Sequence, residues 1–353
     1  MWQGREIVLC TLAFLAGNVL GGVLTLPPLL YLALALLFAF VSALRPRRVL
    51  LLVCFLLLGA AGVQVGRMPP IPGSSALMDW AADCKQRFSA WLGFLAEGDE
   101  LAVLRALSIG DKGSLTRDLK SAYRESGAMH LLALSGLHVG LVYALLLKML
   151  APLGGHRTAR LLRSGLILGS LWAYALVTGL SASISRAVLM ITFYEISGLL
   201  SGDRDALSAL FGSAFLLMVF RPESPRDIGF QLSYTAVLSI LILHPWLKAR
   251  LQTRSKLLMR VWEILCVSLC CQATCGLLAW YYFGTFPRYF LVTTLLAIPL
   301  TTATMYAIAA TLVTVALGSV LPALAPLVHA ATQALQWLLG LLNTLIRLIS
   351  ELS

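Results

Sequence analysis

The chain has 353 residues, of which 59% are hydrophobic and only 12% charged, and its mean hydropathy is +0.86. Charged residues make up roughly a quarter of a soluble domain, so this composition excludes one. The formal net charge is +11. That excess does not single out nucleic acid or anionic lipid as a partner, because inner-membrane proteins gather Lys and Arg in their cytoplasmic loops.

The apolar runs Ile7–Leu24, Leu29–Leu44 and Val49–Gly66 open the chain. Each is close to the roughly 20 residues that a helix needs to cross a bilayer. Arg5 is the single basic residue ahead of the first run, and no A-x-A site closes it, so residues 1–66 read as three retained spans rather than a cleaved leader. Pro27-Pro28 separates the first from the second, and Arg45-Pro46-Arg47-Arg48 the second from the third. Placing that basic tetrad in the cytoplasm puts residues 67–126 outside and returns Lys148–Arg163, Gly202–Arg204 and Lys248–Arg260 to the cytoplasm.

In the external segment, Leu77, Trp80, Ala81, Cys84, Phe88, Trp91, Leu92 and Leu95 recur at steps of three and four opposite Asp79, Asp83, Lys85 and Arg87. The period predicts an amphipathic helix, lying in the outer interface or packed on the spans. A second helix over Glu100–Ser108 ends at the turn Gly110-Asp111-Lys112-Gly113, after which the helical period resumes through Tyr123. Residues 127–353 then hold expected spans near 128–149, 164–180, 183–200, 206–220, 228–246 and 261–283, and two or three helices between 289 and 350 broken at Pro299 and Pro322. Pro299 suggests a broken or re-entrant helix. The expected fold is all-α: a polytopic helical membrane protein with about 10–12 transmembrane helices and an external amphipathic segment.

Of seven cysteines, four crowd one span as Cys266, Cys270, Cys271 and Cys275. At about 100° per residue the first and second pairs face different sides, so they read as small packing residues rather than ligands of one ion. No cofactor or metal site is expected. The chain has no G-x-x-x-x-G-K-[ST] phosphate loop, and its five histidines form no H-x-H-x-D-H cluster.

Polar side chains are costly in hydrocarbon, so they mark a pathway where they occur in spans. Four sets stand out. The first runs from His130 to His138 and includes Ser135, expected beside His138 on one helix face, with His138 about 12 Å deeper than His130 by helical rise. The second is Ser183, Ser185 and Arg186 at the outer start of a span. The third is Asp227, Gln231 and Ser233, whose Asp227 is the expected ion partner of Arg186. The fourth is the turn holding Asp111 and Lys112. The topology places all four on or near the outer face, as a polar vestibule.

These same sets carry a resemblance. The strings Ala106–Lys112 (ALSIGDK), Gly127–Gly140 (GAMHLLALSGLHVG), Ser183–Met190 (SISRAVLM) and Asp227–Val237 (DIGFQLSYTAV) make residues 100–310 similar to the membrane-embedded competence domain of the ComEC family. The resemblance implies an inner-membrane channel carrying single-stranded DNA during natural transformation. It also implies a separate DNA receptor, a cytoplasmic translocase ATPase and a nuclease as partners besides the lipid bilayer, and self-association into a homo-oligomer belongs among the alternatives. The family's usual Asn before Leu-Leu-Ala-Ile-Pro is Thr294 here. Residues 67–126 leave little room for an OB-like external domain, and the stop at Ser353 leaves none for a metallo-β-lactamase-like domain, so a short family member is expected.

The division of labour expected of a conduit fits these residues. Lys112 and Arg186 supply positive charge at the mouth, while Ser135, His138, Ser183, Ser185, Gln231 and Ser233 supply neutral hydrogen bonds. No catalytic residue is assigned. Two rival readings remain at this point: a transporter of another anionic or lipid-linked solute, and an intramembrane serine hydrolase in which Ser135 works with His244 or His329.

Overall fold

A computed structural model describes residues 4–23, 27–44, 48–66, 75–251, 255–284 and 290–351. The described chain is helical throughout, with no strand among the described residues. The expected all-α, multi-pass membrane architecture holds. Among the described residues, five helical stretches are long and apolar enough to cross a bilayer: Glu6–Val23, Ala182–Leu200, Ile228–Lys248, Lys256–Tyr282 and Thr293–Val320. Shorter apolar helices cover Pro28–Ala39, Arg48–Gln64, Gly136–Met149 and Ala206–Phe220.

The chain divides into two compact units. The first comprises residues 1–75 and 188–241. It contains α1 (Gly4–Val23), α2 (Pro28–Leu44), α3 (Arg48–Gly66), most of α9 (Ala182–Ser201), α10 (Ala206–Phe220) and the first part of α11 (Ile228–Lys248). Small residues bring α1 and α3 into backbone contact: a Cβ on Gly17 would stand 1.7 Å from the Leu56 carbonyl oxygen, and one on Gly59 2.1 Å from that of Phe14. Without a hydrophobic force between helices in lipid, such close approach is how spans associate. Phe14 meets Phe215 of α10 edge-on at 5.0 Å, and Tyr234 of α11 donates to the Ser213 hydroxyl at 3.2 Å.

Asp205 starts α10, accepting from the Leu207 and Ser208 amides at 3.0 and 3.3 Å. Such caps satisfy amide donors that a helix start leaves open.

The second unit comprises residues 76–187 and 242–353. It holds α4 (Ser75–Leu92), α5 (Gly98–Ile109), α6 (Arg117–Glu125), α7 (Gly136–Met149), α8 (Arg157–Val177), α12 (Lys256–Cys271), α13 (Leu277–Phe283), α14 (Phe290–Val320) and α15 (Ala325–Glu351). Its core is organised around α5, in which Ala102, Val103, Leu104, Ala106, Leu107, Ser108 and Ile109 are all buried. A helix buried over most of its circumference belongs inside a fold. Three bonds fasten α15 to the segments before α7: Tyr123 donates to Asn343 at 3.1 Å, Gln336 to the Leu95 carbonyl at 2.9 Å, and Arg347 pairs with Asp99 at 2.5 Å.

Two local expectations need correction. The span expected over residues 128–149 is not one helix: a 3-10 turn covers Ala128–His130, residues 131–135 are irregular, and α7 starts at Gly136. Pro299 does not break its helix, since α14 runs through it, whereas Pro322 does separate α14 from α15. Apolar membrane helices tolerate an interior Pro because neighbours absorb the lost hydrogen bond. On the amphipathic α4, Phe88 and Trp91 pack on the core and Trp80 is 53% exposed. The four clustered cysteines sit on α12 and a π-helical stretch, Gln272–Gly276, which shifts the helical phase; Cys266 and Cys270 are buried, and Cys271 and Cys275 only partly so.

Candidate functional site

The break before α7 creates the most distinctive polar geometry of the second unit. Ser135 has an extended backbone, φ −130° and ψ 171°, and takes the position before the first helical residue. His138, in the first turn, turns its ring back: Nδ1 lies 3.4 Å from the Ser135 amide, which donates to it, and 3.2 Å from the Ser135 hydroxyl. This is the reciprocal arrangement of a capping box, with His in the role that Glu or Gln usually takes. Ser135 and His138 are neighbours as expected, through a cap rather than through a continuous helix.

His138 is 1% exposed, and its Nε2 has no hydrogen-bond partner among the described residues. A neutral imidazole whose Nδ1 accepts carries its proton on Nε2. The ring therefore presents a buried, unused N–H donor. His130 stands outside α7 instead of at the head of the same helix, with Nδ1 2.9 Å from the Gly127 carbonyl. Because residues 131–135 are irregular, the helical rise behind the expected 12 Å offset does not apply.

Three of the four polar sets belong to this unit. The turn after α5 closes where Gly110, φ +69°, gives its amide to the Ala106 carbonyl at 3.0 Å, and Asp111 gives its own to Arg105 at 3.3 Å. This left-handed glycine cap leaves little space: a Cβ there would stand 2.8 Å from Leu134, the residue before Ser135. Asp111 folds onto its own turn, accepting from the Gly113 amide at 2.9 Å and from the Ser89 hydroxyl at 3.5 Å. Lys112 is half-buried, and that burial, with Lys120 nearby, holds its ammonium below the ordinary lysine value.

From the other side, a Cβ on Gly136 would meet Ala187 at 3.8 Å, which sets the start of α7 beside the residue following Arg186. Arg186 is buried at 8% exposure. Ser185 donates to the Leu180 carbonyl at 3.2 Å, fixing the turn into α9 in which Gly179 and Leu180 both have positive φ. Leu180, at φ +50°, is the only non-glycine so placed among the described residues. A left-handed non-glycine residue costs roughly 1–2 kcal/mol, and such strain is concentrated at working sites. Ser183 is partly buried in the first turn of α9.

The fourth set lies in the first unit. Asp227 is exposed and caps α11, accepting from the Gly229 amide at 3.1 Å. Gln231 donates to the Pro225 carbonyl at 2.8 Å, and Ser233 is partly buried one turn on.

Sequence reasoning missed one buried ionic group, also in the first unit. Glu195 in α9 has a side chain with 0% exposure and pairs with Arg204 at 2.8 Å. A lone Glu inside an apolar run was the available signal. It pins the α9–α10 connection, together with the Asp205 amide donating to the Ser197 hydroxyl at 3.3 Å.

Around α7 the polar groups are mostly donors: the His138 N–H, the Lys112 ammonium and the positive end of the helix itself, with the buried Arg186 guanidinium on the neighbouring helix. The one carboxylate in that set, on Asp111, is engaged within its turn. Such a set favours an anionic occupant, and the neutral imidazole contributes attraction without a fixed charge.

Positions 107–353 match the family model described as Competence protein. The chain is 33% identical over 144 residues to ComE operon protein 3 of Bacillus subtilis, covering 41% of this chain and 18% of that protein. It is 31% identical over 150 residues to Competence protein ComA of Neisseria gonorrhoeae, covering 40% and 21%, and 30% identical over 144 residues to an uncharacterized protein of Aquifex aeolicus, covering 39% and 33%. The chain thus matches no more than a third of the length of these relatives. No solved structure matches.

Proposed function

Because this chain belongs to the Competence protein family, we propose that it serves DNA uptake in natural transformation by forming the path of a single strand through the bacterial inner membrane. The observation that carries this reading is the buried His138 N–H, held in place by Ser135 and left without an acceptor. A polyanion needs an attractive mouth and a lining that hydrogen-bonds phosphates without holding them. Lys112 and Arg186 fill the first role. His138, Ser135, Ser183 and Ser185 fill the second; Gln231 and Ser233 are neutral groups of the same kind within the first unit. In this reading His130 and Asp111 shape the approach to His138 and Lys112, and Asp227 orders the start of α11. A separate receptor delivers the DNA, and a separate ATPase and nuclease drive and process it.

The test is transformation of a strain lacking the native gene. His138→Leu and Ser135→Leu should abolish DNA internalisation while leaving membrane level and surface capture of DNA unchanged. Leu removes the hydrogen-bonding groups and with them the cap at the start of α7, so folded yield is measured alongside. Normal transformation by both variants at normal level refutes the assignment.

One specific observation favours a second reading, a serine hydrolase: the 3.2 Å approach of the Ser135 hydroxyl to His138. The imidazole at Ser135 is His138 rather than His244 or His329, and its Nε2 lacks the orienting group that a nucleophile's base requires. Covalent labelling of Ser135 by a fluorophosphonate would establish that reading.

A further inference from the structure

A second polar face, on α14, has no role in the path described above. Thr293, Thr294, Thr301, Thr304 and Thr311 are all buried, none more than 2% exposed. Three have conventional partners: Thr293 donates to the Ser126 carbonyl at 2.6 Å, Thr304 to the Leu300 carbonyl at 2.9 Å and Thr311 to the Ala331 carbonyl at 3.2 Å. The hydroxyls of Thr294 and Thr301 have none among the described residues. Those two share one side of the helix, about two turns and roughly 10 Å apart. Between them on that side lies Ala297, fully buried and small. Pro299 has no N–H, so the Leu295 carbonyl one turn earlier also loses its helical donor.

The surroundings of this face matter as much as its composition. α14 packs against α5, the 128–130 turn and α7. Ala297 and Ile298 belong to the same apolar cluster as Leu107, Leu131 and Leu132. The neighbouring segments hold two more buried polar atoms with no partner, Oγ of Ser108 and Nε2 of His138. A buried threonine in an apolar helix ordinarily gives its hydroxyl to the carbonyl four residues back, as Thr304 does. Most buried polar groups are satisfied, so four unfilled ones on helices that pack together are not what a dry packing seam produces.

We infer that the Thr294–Thr301 face of α14 is a second wall of the strand path, alongside His138, and that its hydroxyls hydrogen-bond the phosphodiester oxygens of the passing strand. The inference rests on the DNA-path reading of the α7 site. Two hydroxyls and a neutral imidazole fix no charge in the wall, so each phosphate is bound weakly enough to move on.

The test compares paired variants for internalisation of labelled DNA in the strain lacking the native gene. Thr294→Val with Thr301→Val keeps shape and removes both hydroxyls; Thr294→Ser with Thr301→Ser keeps them. The Val pair should lower internalisation roughly tenfold at unchanged membrane level, the loss expected for two hydrogen bonds, while the Ser pair stays close to the parent. Equal uptake by the two pairs, with His138→Leu still inactive, overturns the inference and leaves the path reading standing. Normal uptake by His138→Leu removes the path reading itself. If the Val pair fails to accumulate, Thr301→Cys decides: modification by a small cationic thiosulfonate above the parent's background, blocked by a strand stalled in transit, supports the wall. No modification, or modification that the stalled strand does not block, contradicts it.

Discussion

The hydroxyl of Ser135 and Nδ1 of His138 stand 3.2 Å apart across the first turn of α7. This single relationship sets the chemistry of the site. It occupies Nδ1, leaves the proton on Nε2, and turns a histidine at a helix start into a fixed neutral donor. The same residues on an uninterrupted helix would share a face without this reciprocal capping, and the ring would be free to choose either tautomer.

With Lys112 at the mouth of the proposed path, strand binding should be sensitive to pH. Burial first, and Lys120 second, lower its proton affinity in the folded protein. The cost of burying the ammonium is therefore present at neutral pH and relieved as pH rises through the lowered value, while attraction for phosphate is lost over the same interval. Strand binding by the full chain in nanodiscs, followed by fluorescence anisotropy, should weaken at a pH below the ordinary lysine range. Lys112→Arg should move that fall to higher pH, and Lys112→Met should weaken binding at neutral pH and remove the transition. A transition unchanged in both variants would assign it to another group.

Glu195 and Arg204 form a pair whose carboxylate is fully enclosed, with the guanidinium also over the Tyr194 ring at 5.6 Å. Taking one partner from a buried pair costs about 3–5 kcal/mol, more than the pair contributes relative to apolar residues. Arg204→Met should accordingly lower folded yield and thermal stability in detergent severely. Combining it with Glu195→Leu should recover much of the loss, and strictly additive losses would show that the two side chains are not coupled.

The α1–α3 contact tolerates no side chain at Gly17, where a Cβ would overlap the Leu56 carbonyl at 1.7 Å. Helices forced apart lose the close packing that holds them in lipid, and overpacking of this kind costs about 1–3 kcal/mol or more. Gly17→Val is expected to lower the thermal unfolding temperature, whereas Gly155→Val, with open space at its Cβ, should leave it nearly unchanged. Equal stability of the two variants would mean that α1 and α3 are not in backbone contact.

The spans were legible because length and hydropathy decide them, and the turn at Gly110 because glycine and its polar neighbours punctuate helices. The break at residues 131–135 was not: His130–His138 is a run of helix-compatible residues, and only the reciprocal Ser135–His138 cap and the Gly110–Leu134 contact show why α7 starts late. Pro299 misled in the opposite direction, because its cost is absorbed within a buried apolar helix. Glu195 escaped notice because its partner Arg204 lies beyond the end of its helix, where charge reads as topology rather than as an ion pair. The unpartnered hydroxyls of Thr294 and Thr301 have no sequence signal at all, since a threonine's partner is a property of the packing.

That a strand passes His138 is the central claim, and a cross-link formed in transit tests it most directly. His138→Cys is offered DNA whose internal phosphates carry a short thiol-reactive group and whose trailing end is blocked by a bulky adduct, with His329→Cys on the exposed start of α15 as control. A DNA–protein adduct should form at position 138 only while uptake is active, with little at 329. An absent adduct at 138 from a variant still normally inserted and still transforming, or equal adducts at the two positions, would contradict it.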